Sequence, residues 1–111
     1  MNNLQRLEME TKGIDLSQNE LIVYLQENDL SPHEEYNATS ADSRKAIFQT
    51  ALSVLESIAN NPSLMKTIRL DDMTVSEFHE NLLSRIDQLT RKIRQMKSDQ
   101  SYNSDIFMLY L

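Results

Sequence analysis

The chain has 111 residues, room for one domain whose single core buries roughly 65% of the surface exposed by the unfolded form. One glycine and two prolines, set among many Leu, Ile, Met, Gln, Glu, Lys and Arg, argue against a sheet-rich fold. The absence of cysteine excludes disulfide frameworks, thiolate zinc sites and cysteine nucleophiles. The net charge of -6 is divided unevenly: residues 1–60 carry ten acids and four bases, residues 61–111 seven of each. That argues against nonspecific DNA binding by the whole chain, while allowing the acidic surface of one copy to meet the basic surface of another.

In chain order, Met1 to Thr11 reads as a short helix with Leu4, Leu7 and Met9 on its apolar side and Gly13 free for a left-handed C′ position. Ser17 with Glu20 forms a capping box for a second helix, whose apolar stripe is Leu21, Ile22, Tyr24 and Leu25 and which ends near Asn28-Asp29. Residues 29–39 read as a loop, since Ser31-Pro32 disfavours helix and only Tyr36 offers a large anchor. Ser40 or Thr39 starts the third helix. Its positions Ile47, Ala51, Val54, Leu55 and Ile58 have helical spacing, and Phe48, Leu52 and Ala59 widen the face enough for contact on more than one side.

Asn60-Asn61-Pro62 stops that helix, and the connector 63–73 is too apolar for a floppy linker. Thr74 with Glu77 opens the longest helix, Val75 to Lys97, with acids near its positive end and Arg91, Lys92, Arg94 and Lys97 near its negative end. Val75, Phe78, Leu82, Ile86, Leu89, Ile93 and Met96 form a narrow seam suited to one neighbouring helix. The predicted fold is therefore all-α, a small bundle of four to five helices with a long C-terminal helix. Residues 1–97 form one helical domain and residues 98–111 an extended C-terminal arm, polar at first and then apolar from Ile106 to Leu111.

Enzyme chemistry finds no footing. His33 and His79 lack ligand-spaced partners, the pairs Glu34-Glu35 and Asp71-Asp72 read as a solvated loop and a cap, and a single glycine rules out a phosphate-cradling loop. No catalytic, cofactor-binding or metal residues are predicted, and no cofactor is expected. There is no membrane span, and the N-terminus has no signal-like apolar stretch, so synthesis in the cytoplasm is expected.

The candidate contacts are to protein: the basic residues Arg91, Lys92 and Arg94, with nucleic acid limited to nonspecific contact, and the apolar Tyr102, Ile106, Phe107, Leu109, Tyr110 and Leu111. The terminal segment either folds back on its own core or docks on a neighbouring chain.

The run Ala46 to Ala59 follows a short helix containing Leu21-Ile22-Val23-Tyr24-Leu25 and precedes a long final helix. With Ile58-Ala59-Asn60-Asn61-Pro62, Asp71-Asp72-Met73-Thr74-Val75 and Arg85-Ile86-Asp87-Gln88-Leu89, it resembles the small head-tail connector proteins of tailed bacteriophages. The likeness covers residues 14–97 and extends to phage or prophage proteins of gut bacteria. It implies a structural virion protein at the head-tail junction, made in the bacterial host cytoplasm. Such a protein forms a ring homo-oligomer of about twelve copies, with portal-like and tail proteins as partners. Connectors often close the helix at 41–60 with glycine, where this chain has Asn60-Asn61-Pro62. The residues alone also allow a small cytoplasmic helical adaptor or regulator that dimerises through the Val75 to Met96 seam.

Overall fold

A computed structural model describes residues 1–12, 14, 16–61 and 74–96. Among these are four helices, α1 (Asn3–Glu10), α2 (Gln18–Glu27), α3 (Ala41–Ala59) and α4 (Val75–Gln95), and no strand beyond one isolated bridge between Asn2 and Glu35. The all-α expectation holds. Gly13, the connector 63–73 and the arm 98–111 lie outside the described residues.

Each helix begins where a side-chain oxygen meets otherwise unpaired backbone N–H groups. Ser17, Ser40 and Thr74 are the N-caps of α2, α3 and α4, accepting from the N–H of Glu20, Ser43 and Glu77. At Thr74 the Glu77 carboxylate also returns to the cap N–H, the complete box the sequence predicts; at Ser17 the hydroxyl half is formed. The expected Met1 start of α1 shifts by two residues, to Asn3, because Asn2 and Gln5 make a reciprocal box. Asp29 then turns the chain at φ 61, a left-handed position that Asp tolerates better than most residues.

The loop 31–36 is tied to the start of α1. Pro32 and Glu34 carbonyls accept from the N–H of Leu4 and Asn3, the Asn3 carboxamide donates to the Ser31 carbonyl, and Tyr36 donates to the Met1 carbonyl. Two orphan donors of the first helical turn are thus satisfied from a loop about thirty residues away.

The helices pack unequally. Helices α1, α2 and α3 each pack on the other two, whereas among the described residues α4 packs along α3 and reaches α1 through the Arg85 side chain. Leu4, Leu7, Leu21, Leu25, Ile47, Ala51, Val54, Leu55 and Ile58 are buried in the resulting core. Thr50, fully buried on α3, satisfies its hydroxyl on the Ala46 carbonyl. On α4, Phe78, Leu82 and Leu89 are buried and Ile86, Ile93 and Met96 half-buried, so the predicted seam lies against α3 within the chain. Met9, expected on the apolar side of α1, is 57% exposed. It sits two residues beyond Leu7, about 200° round the helix from it.

Candidate interaction surfaces

One surface is built where α1, the loop, α3 and α4 converge. Arg6 and Glu10, one turn apart on α1, pair at 2.9 Å with side chains only 16% and 14% exposed, and the other Glu10 oxygen accepts from Arg85 of α4. The Arg6 guanidinium carbon lies 5.5 Å from the ring centre of Tyr36 and 5.6 Å from that of Phe48. Its buried Nη1 has no hydrogen-bond partner; the negative faces of these rings supply the attraction instead. Lys92 places its ammonium 4.3 Å from the Phe48 ring centre. Arg6, Arg85 and Lys92 against Glu10 leave this face with three cations and one carboxylate.

A second surface lies across α3. An open cleft of about 410 Å³ is lined by Asn3, Asp29, Glu34, Glu35, Asp42 and Ser43 among others, and every charged residue lining it is an acid. Asp42, Ser43 and Ala46 line this cleft, and at 3.6 residues per turn they lie roughly 120° to 160° round α3 from Phe48. The acidic cleft and the basic-aromatic face therefore occupy opposite sides of one helix. The charge order along the chain produces this division. Residues 13–43 contain Asp15, Glu20, Glu27, Asp29, Glu34, Glu35 and Asp42 with no Lys or Arg, whereas residues 81–96 contain Arg85, Arg91, Lys92 and Arg94 against Asp87.

Of the basic residues singled out from sequence, Lys92 stacks on Phe48, Arg91 pairs with Asp87 one turn back at 2.9 Å, and Arg94 stands exposed in the last turn of α4. They are not convergent: Arg91 and Arg94 point away from the Lys92 flank by about 100° and 160°. Tyr102, Ile106, Phe107, Leu109, Tyr110 and Leu111 lie outside the described residues. Sequence reasoning missed Arg6, Glu10, Phe48 and Arg85 as a group. The Arg6/Glu10 spacing was legible as an ion pair, but its completion by Arg85, 75 residues further on, was not.

Among the described residues no group of three or more His, Asp or Glu could hold a metal ion, and no helix is long and apolar enough to cross a membrane. Glu34 and Glu35 are both exposed on the loop. No protein-family model matches the chain, and no curated protein or solved structure matches it either.

Proposed function

We propose that the chain is a structural assembly subunit, a head-tail connector of a tailed bacteriophage. In this reading its copies pack head to tail into a ring of about twelve, between a portal-like protein and tail proteins in the virion. The observation that carries the reading is the placement of an acidic cleft and a basic face on opposite sides of α3. Two complementary patches that cannot meet within one subunit favour a heterologous contact, and such contacts close into rings when the rotation per copy allows. The resemblance over residues 14–97 supplies the phage setting. Tyr102 and Ile106 to Leu111 are proposed as an arm that docks on a neighbour or on the portal-like partner.

The adaptor reading, dimerisation through the α4 seam, is less favoured because Phe78, Leu82 and Leu89 are already buried within the chain. Analytical ultracentrifugation of the chain, alone and mixed with a portal protein, tests the proposal. A closed ring or a stoichiometric portal complex supports it; a stable dimer indifferent to portal favours the adaptor. Deleting residues 102–111 is expected to leave melting nearly unchanged while abolishing portal association.

A further inference from the structure

We infer that the flank of α4 bearing Arg85, Gln88, Lys92 and Gln95 is the docking surface for the acidic loop around Glu34 of a second copy of this chain. The inference rests on the assembly reading above and gives it a specific interface. These residues follow one another in steps of three, four and three, which places them on one stripe of the helix beside the buried seam. Two carry positive charge, two carry amides able to donate and accept, and none is acidic. Gln88, Lys92 and Gln95 are exposed, and the Arg85 side chain is 42% exposed even while it holds Glu10.

The stripe is also preorganised. The Phe48 ring under Lys92 and the Glu10 carboxylate beside Arg85 hold both cations in place before a partner arrives, which lowers the ordering entropy of association. What fits such a surface is a short segment with carboxylates and no cation. Asp29, Glu34 and Glu35 meet that description: all three are exposed, they sit together on the cleft, and no Lys or Arg lies between residues 13 and 43. Glu35 also accepts from the Met1 amine at 3.0 Å, so Glu34 and Asp29 are the more available carboxylates.

A phosphate backbone is the competing occupant, since Arg, Lys, Asn and Gln are also the side chains that contact phosphate. Charge decides against it. Asp87 and Glu80 lie on the same helix, within about a Debye length of the stripe, and the chain as a whole is at -6. They repel a polyanion that must run past them but spare a single short loop.

The experiment uses the full chain in three forms: wild type, a basic-flank reversal (Gln88→Glu with Lys92→Glu) and a loop reversal (Glu34→Lys), with Glu35 kept for its pair with the Met1 amine. Arg85 is left intact so that its pair with Glu10 persists, and Lys92→Gln controls for loss of the contact with Phe48. In sedimentation at low salt, each reversal alone is expected to weaken self-association roughly tenfold or more, and Lys92→Gln by less. An equimolar mixture of the two reversals is expected to recover association, since every stripe of one then faces a loop of opposite charge on the other. Wild type that associates while neither reversal weakens it overturns this interface and leaves the assembly reading standing. Wild type that stays monomeric, alone and with portal protein, overturns both. Retention of DNA by the wild type, lost in Gln88→Glu/Lys92→Glu, reassigns the stripe to phosphates and overturns the inference.

Discussion

Helices α1 to α3 form a closed triangle, each held by two others, whereas α4 lies along the outside of α3. Beyond that single packing line, the side-chain links from α4 to the triangle include the Arg85 to Glu10 ion pair and the Lys92 contact with Phe48. A side chain in the triangle is enclosed from several directions. One on α4 has a neighbour on one side and solvent on the other, as Leu83, 48% exposed, illustrates. Among the described residues the triangle is therefore where enclosure from several sides concentrates, while α4 is held mainly along one line, on α3.

The contrast breaks most sharply at Leu25, fully buried in the triangle. Leu25→Ala is expected to cost toward the upper end of 2 to 5 kcal/mol, because the surrounding helices are fixed from several sides and cannot close the cavity. Leu89, 1% exposed on α4, is expected at the lower end of the same range, since a rod held on one side can settle into the space. Denaturant melts of the two variants measure the difference directly. Equal losses would mean that α4 is held as firmly as the triangle.

Glu10→Gln tests the link between the two regions. It leaves the largely buried Arg6 guanidinium facing a neutral amide, and a loss of about 1 to 3 kcal/mol is expected, with hydrogen exchange rising in α4 before α2. Faster exchange confined to α1 would show that the Arg85 link contributes nothing to holding α4. The smallest effect is expected from Asp87→Asn, which removes the exposed pair with Arg91 on the solvent side of α4. An i,i+4 pair of this kind is worth about 0.3 to 0.5 kcal/mol, and the loss is expected to vanish at high salt.

Local signals were legible in the sequence because their physics is local. The hydroxyl caps at Ser17, Ser40 and Thr74, the 3–4 spacing of α3 and the seam of α4 each depend on residues within one or two turns, and all appear where the pattern places them. The Asn2/Gln5 box is equally local, with the standard three-residue spacing, and it sets the start of α1 at Asn3 rather than at Met1. The candidate surfaces were half legible. Charge order announced an acidic first half and a basic late helix, yet nothing in the spacing of Lys92 or Arg85 announces Phe48 or Glu10 as partners. Those contacts depend on which face of α3 receives α4, a tertiary choice that one-dimensional periodicity does not encode.

The hydrogen bonds from Asn3 and Leu4 to the Glu34 and Pro32 carbonyls bear on the order of folding. An eight-residue helix is too short to persist alone in water, and α1 has its first turn completed by a loop that lies beyond α2 in the chain. Closing that separation has an entropic cost before any contact is gained, so α1 is expected to dock after α2 and the loop have been positioned by α3. A transition state with α2 against α3 and α1 still detached is then expected, and stopped-flow chevrons check it: truncations at Leu21 or Val54 are expected to slow folding, and those at Leu4 or Leu7 mainly to speed unfolding.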